Sequence, residues 1–367
     1  MMVRRARFRF RLKKKERGVA LITALLIVSL ATIMAVSLMS RQYMDIRRTG
    51  NIMSSDKAYL QALTMEISSA SLLKVSRQTS PDHFDDKKAF EEAVLGINAN
   101  AMQVSENEAK VNLELVYPEA LFNVNTLLKP NGNIDLKRKT QFKNLMDLVL
   151  EDLGLSIYIS DNLVDSLVDW IDADDNVSPN GAEDSTYESK DPPYKTANQI
   201  MQSISELQLV EGFDKTILYG IPKDEKDESS EAISGVLHYV TALPLGSAMN
   251  VNLVTEPKII QSISPDITDV IAKAILAEQP FNTLNDFTGN SAWDAIKDPA
   301  ISNGGPAWTS VSENITAANP VVQSTYFVAK STASLGKSIF ILNSLVFVDK
   351  NGTKLEVISR AIGTDGI

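Results

Sequence analysis

The densest concentration of potential ligating oxygens lies in DWIDADDNVSPNGAED, residues 169–184. Counted from Asp172, oxygen-bearing side chains fall at positions 1, 3, 5, 9 and 12: Asp172, Asp174, Asn176, Asn180 and Glu183. That spacing is the skeleton of a helix-flanked calcium loop, because a hard cation needs oxygens brought round it from alternating positions. Two residues depart from it. Position 6, where glycine permits the sharp turn, is Val177, and position 8 is Pro179. The expectation is therefore a looser, structural calcium site, with Asp184 and Asp191 as further donors. Asp172, Asp174, Asp175, Glu183 and Asp184 would repel one another if gathered without a cation. A solvated acidic loop, or one holding magnesium, is the competing reading. There is no cysteine, and the two histidines, His83 and His238, are far apart in sequence. Neither a thiol nucleophile nor a histidine metal cluster is indicated.

The elements that must hold this loop read as helices. Helical spacing marks 140–153 and 160–171, the latter leading into the loop, with further helical segments near 196–202, 205–210 and 213–219. FNVN at 122–125 recurs as MNVN at 249–252, each followed by two helices round a short turn, a weak internal duplication of a helix-hairpin-helix-like unit. The turn Ile263-Ser264-Pro265-Asp266 has no glycine to approach a phosphate and is acidic, so packing rather than nucleic acid is expected. Trp170, Tyr187, Tyr194 and Trp293 read as core or loop anchors. Residues 110–117 alternate as a half-buried strand, and strands are expected at 235–243, 323–332, 338–349 and 354–361. Asn351-Gly352 turns the last pair. Residues 86–96 read as a short helix, and 298–320 as a loop.

All of this follows an apolar N-terminal run. Between Arg17 and Arg41 lie 23 residues without a charge. Val19 to Ser40 as a helix would reach about 33 Å, enough to cross a hydrocarbon core. Residues 1–18 carry nine Lys/Arg against one Glu, and the whole chain is −10, so the remainder carries −18. A basic end stays in the cytoplasm and leaves the acidic body on the far side. A body that acidic does not seek nucleic acid. The apolar run is longer than a secretory signal's. Beyond it Ile46, Met53, Leu60 and Ile67 recur every seven residues, with Leu63 and Ala70 in a second seam position, and no proline occurs before Pro81. One helix from about 19 to 77 is expected, softened at Gly50. Its seam suits packing on its own domain or on a partner helix.

A basic leader ending in Gly18 before an apolar helix resembles the type IV prepilin-like signal. The stretch RGVALITALLIV, the block at 167–213 and LPLGSAMNVN together resemble the K-type minor pseudopilins of the type II secretion system. The resemblance implies cleavage by prepilin peptidase between Gly18 and Val19. It implies an α+β, pilin-like fold: a long N-terminal transmembrane helix packed on a small antiparallel sheet, with a large inserted α-helical domain. The chain then divides into a leader (1–18), a transmembrane segment (19–40), the periplasmic helix and first strands (41–119), the inserted domain with the acidic loop (120–234), and a second helical hairpin with C-terminal strands (235–367). It further implies calcium ligands in the acidic loop, no enzymatic activity, and a place in the inner membrane. The implied partners are the I- and J-type minor pseudopilins, prepilin peptidase and the inner-membrane secretion platform, with the subunit starting or capping the pseudopilus tip. Most pilin-like subunits have glutamate as the fifth mature residue; here it is Thr23. A tip subunit has no subunit ahead of it whose amine could neutralise a carboxylate in lipid, so an uncharged residue fits. The rival readings are a tip subunit of a type IV pilus or DNA-uptake machine, and a membrane-anchored, metal-dependent periplasmic hydrolase.

Overall fold

Free of proline from its start to Thr79, the N-terminal stretch forms one continuous helix, α1 (Arg17–Thr79). The computed structural model of the protein describes residues 17–79, 109–223, 231–297, 308–335 and 338–363. The basic leader up to Glu16, His83 and the short helix expected at 86–96 lie outside those residues. Two units make up the chain, Met1–Asp56 and Lys57–Ile367. In the first, the most apolar 18-residue window of α1 has a mean hydropathy of 2.7 and none of it is buried. Its hydroxyls bond inward: Thr23 Oγ1 donates to the carbonyls of Val19 and Ala20, both at 3.0 Å, and Thr32 to that of Val28 at 2.8 Å. A hydroxyl satisfied within its own helix adds little polarity to a lipid-facing surface.

In the second unit, α1 from Lys57 onward lies on an antiparallel sheet. Its strands are β1 (Ala109–Val116), β2 (Tyr326–Leu335), β3 (Ser338–Val348) and β4 (Leu355–Ile362), in spatial order β1-β2-β3-β4. Small residues bring the helix close. Ala58 and Ala62 pack on Ala333 and Leu342. Ala70 and Leu73 pack on Leu113, Phe327, Ala329, Val346 and Val348. Gly352, at φ +63°, turns the β3–β4 hairpin beneath α1; a Cβ there would stand 2.8 Å from the Lys74 carbonyl oxygen. Glu66 fixes the register. Its buried carboxylate accepts from Arg360 Nε and Nη2 on β4, both at 2.8 Å, and from the Ser344 hydroxyl on β3. Burial pushes the Glu66 pKa up, but Arg360 and Ser344 outweigh it and the group lies below its usual value.

The expected strand at 235–243 is not part of this sheet. Val236–His238 is a 3-10 turn, and Val240–Thr241 pairs in parallel with Phe122–Asn123. Residues 239–243 are all buried, with none of the in-and-out alternation of a strand on a half-exposed sheet. Their backbone is satisfied by side chains instead. Asn123 accepts from Leu243 N at 3.0 Å, and Asn125 donates to Leu243 O at 2.9 Å. Everything between β1 and β2 is thus one excursion from the sheet, and one core runs from Phe122 to Ala318. It is built on α2 (Leu136–Asp152), α3 (Ser160–Ile171), α4 (Pro257–Gln261), α5 (Asp269–Ala277) and α6 (Trp308–Ala317). The helical residues on either side of position 234 share that core. α6 stands where a loop was expected, because Val311 and Ile315, one turn apart, bury against it within a Ser/Thr-rich sequence. No helix forms at 196–202.

The repeated Asn-Val-Asn is a repeated device. Asn123 Oδ1 accepts from Asn125 N, and Asn250 Oδ1 accepts from Asn252 N. The second asparagine of each then staples a distant segment: Asn125 accepts from Met201 N at 2.8 Å, and Asn252 from Phe281 N at 2.7 Å. Both stapled segments continue into a capping box, Ser203/Glu206 and Thr283/Asp286. The internal duplication therefore extends from the asparagines to the turn each one anchors.

Arg360→Ala strands a buried carboxylate and should lower the unfolding free energy by about 2–3 kcal/mol in chemical denaturation. Replacing Glu66 and Arg360 together by methionine should recover most of that loss.

Candidate functional site

Acidic side chains recur at i, i+4 and i+7 through and just past α3: Asp165, Asp169 and Asp172, one helical face. The first two clasp the loop that follows. Asp169, fully buried, accepts from Ser178 N at 3.0 and 3.2 Å. Asp165 accepts from Asn180 N and Nδ2, both at 3.1 Å, and pairs with Lys139 of α2 at 2.5 Å. Gly181 makes the close approach possible, since a Cβ there would lie 2.0 Å from Asp169 Oδ2. Trp170 and Tyr187 meet edge to face at 5.2 Å, with Tyr194 against both, and close the loop from the core side. Trp170, Tyr187 and Trp293 are buried, as expected of anchors.

The clasp leaves two carboxylates in an unusual state. Asp172 and Glu183 are buried, and among the described residues Asp172 Oδ1 and both Glu183 oxygens have no hydrogen-bond partner. Thr196 gives its hydroxyl to Asp184 at 2.7 Å and stands near enough to Glu183 to offset a little of the burial there. Burial, with the negative charges of Asp174 and Asp169, pushes Asp172 up to about 6. Burial, with Asp169 and Asp172, pushes Glu183 up to about 7. Burial also raises Asp169. A fourth orphaned oxygen belongs to the residue bonded to this loop: Asn198 Oδ1 is buried and has no partner among the described residues, while its Nδ2 donates to Asp175 and its N–H to the Trp170 carbonyl. Asn198 holds φ at +47°, a left-handed backbone uncommon outside glycine.

Of the seven sequence-expected donors, the loop thus presents two as free, buried oxygens, Asp172 and Glu183. Asp174 accepts from Asn176 N and Nδ2 in an exposed turn. Asn180 is exposed and donates its N–H and Nδ2 to Asp165, bonds that orient the side chain without engaging its Oδ1. Asp184 takes Lys195 at 2.5 Å and Thr196, which hold it below the usual carboxylate range. Asp191 is exposed ahead of Pro192. Among the described residues no three Asp, Glu or His side chains stand together as a ready-made cage. Sequence reasoning missed Asp165, Asp169 and Asn198. The helical spacing of the two aspartates was available as a signal, whereas nothing local marks Asn198.

A long apolar helix laid on a four-stranded antiparallel meander, with a helical domain carried between the first two strands, defines a pilin-like subunit. Residues 120–221 match the family model of type II secretion system protein K. The chain is 28% identical over 361 residues to type II secretion system protein K of Pseudomonas aeruginosa, covering 97% of this chain and 96% of that one. It is 26% identical over 357 residues to the protein of the same name from Pectobacterium carotovorum, covering 96% and 98%. A crystal structure of the GspK-GspI-GspJ complex from enterotoxigenic Escherichia coli contains a chain of the same fold, with a TM-score of 0.62 at 20% identity, covering 86% of this chain and 99% of that one. Over nearly its whole length the chain is similar to the K-type minor pseudopilins of type II secretion.

The pH dependence of stability follows from the raised carboxylates: Asp172, Glu183 and Asp169 in the loop, and Glu119, which burial pushes up to about 7. A carboxyl whose pKa is higher folded than unfolded stabilises the fold below its unfolded value and loses that contribution as pH rises through the folded one. In chelator, the melting temperature should fall between about pH 5 and pH 8. Glu183→Gln should flatten that slope.

Proposed function

We propose that this pseudopilin sits at the tip of the pseudopilus, assembled with I- and J-type minor pseudopilins. On this reading α1 holds it in the inner membrane with the basic segment cytoplasmic and the body periplasmic. Prepilin peptidase removes the leader between Gly18 and Val19, and the inner-membrane platform then draws the helix into the filament. The observation that carries the reading is an uncovered face of α1. Leu60 and Ile67 are 58% and 59% exposed, while Ala62, Leu73 and their neighbours bury against the sheet. Ile46 and Met53 continue the same seven-residue spacing and are also exposed. The chain's own domain takes up the second seam position, at Leu63 and Ala70, and leaves the Leu60 and Ile67 row open, for which a partner helix is the natural occupant. Thr23 supports the end position, since it puts no lone carboxylate into lipid. The excursion from 117 to 325 supports it too, being bulky for the side of a regular shaft. The related complex from Escherichia coli joins K, I and J subunits.

Calcium in the acidic loop belongs to the same proposal, with a structural rather than catalytic role. The orphaned oxygens of Asp172, Glu183 and Asn198 suit a hard cation, which takes carboxylate, amide and main-chain oxygens and water together. Bound there, the ion would supply the positive charge that two buried carboxylates otherwise lack.

Leu60→Lys combined with Ile67→Lys should leave the melting temperature of the full-length protein in detergent unchanged and abolish its co-purification with I- and J-type partners. Unaltered co-purification would turn the reading towards another pilus system. Millimolar calcium should raise the melting temperature by roughly 5 °C or more. Asp172→Ala or Glu183→Ala should remove the rise, and a hydrolase would instead lose turnover at unchanged stability.

A further inference from the structure

The half of the helical domain without the acidic loop contains a cavity of about 460 Å³, within the size range of small-ligand pockets. Leu284, Trp308, Ile315 and Pro320 make its apolar walls, and Lys297, Ser312 and Thr316 its polar ones. The polar groups are not interchangeable. Lys297 Nζ lies 4.7 Å over the Trp308 ring and donates to the Thr288 carbonyl at 3.2 Å. Among the described residues its carboxylate partner is Asp294, 4.0 Å away and beyond a hydrogen bond, so the ammonium keeps donor capacity toward them. The two hydroxyls are one helical turn apart on α6. Ser312 Oγ donates to the Thr309 carbonyl and Thr316 Oγ1 to that of Ser312, both at 2.9 Å. Their protons are thereby spent, and what they offer a ligand is lone pairs. Asn319, at φ +50° just past the end of α6, caps that helix at the rim of the cavity.

The complement of this set is specific. An ammonium beside an aromatic ring asks for a carboxylate, hydroxyl lone pairs ask for an N–H, and the remaining wall asks for an apolar side chain. A polypeptide's C-terminal residue carries all three on one carbon. The chain's net charge of −10 adds discrimination, because a carboxylate is drawn in only where a cation stands close. We infer that this cavity is a docking site for the free C-terminus of a partner polypeptide ending in an apolar residue. The carboxylate meets Lys297, the terminal amide N–H meets the Ser312 or Thr316 oxygen, and the side chain enters between Leu284 and Ile315.

N-acetyl-glycyl-leucine is the probe, titrated into full-length protein in detergent and read by ligand-observed NMR. Saturable binding is expected. Its C-terminal amide should bind at least about tenfold more weakly, and so should the acid to Lys297→Met, which keeps the aliphatic stem over Trp308. Equal binding of acid and amide, or no saturable binding at all, overturns the proposal without recourse to any variant. Hexanoate binding as tightly as the peptide would make the cavity a site for free carboxylic acids and overturn it too.

Discussion

An apolar helical surface with nothing folded against it constrains this protein more than any other feature. The window from the N-terminal part of α1 is uncovered, and water is its least favourable surroundings. Lipid and the apolar faces of neighbouring helices are environments that satisfy such a surface. The inward-bonded hydroxyls of Thr23, Ser29 and Thr32 suit either. The exposed Leu60 and Ile67 continue that requirement into the part of the helix that carries the sheet.

Against that open face, the opposite side of α1 is tightly specified. Alanines set the distance to the sheet and Glu66 sets the register, because a buried carboxylate with two ligated oxygens tolerates no sliding. The β3–β4 turn is pinned to the same helix by Gln78 bonding to the Gly352 carbonyl. The division of labour is physical: polar locks face inward, where desolvation makes them specific, and plain hydrophobes face outward, where they can exchange partners.

The helical domain solves a different problem, that of holding many short helices and long loops in place without a sheet. It does so twice with the same tool. An asparagine side chain can accept and donate at once, so Asn125 and Asn252 satisfy backbone groups on segments far away in sequence. In one half of the duplication the space thus framed holds an acidic loop around two unpaired carboxylates. In the other it holds a lysine-and-tryptophan cavity. One scaffold has been given two chemically opposite pockets.

Periodicity alone determined α1, α3, β1 and the C-terminal strands, because helical and alternating burial are local consequences of 3.6- and 2-residue repeats. Composition and the 169–184 block likewise located the densest group of carboxylates. The sequence also exposed the repeated Asn-Val-Asn, though not the staples it makes. Residues 235–243 escaped local reasoning because a continuously buried segment satisfied by distant asparagines has the composition of a strand. α6 escaped it because its Ser/Thr content hides a helix that only the core beneath Val311 and Ile315 stabilises. Which acidic side chains are left without partners was decided by tertiary structure alone. Asp184 is a carboxylate like Asp172 and Glu183, and what separates it from them is that Lys195 and Thr196 lie within its reach. Whether a polar group is satisfied is a property of its surroundings, and no spacing along a chain encodes it.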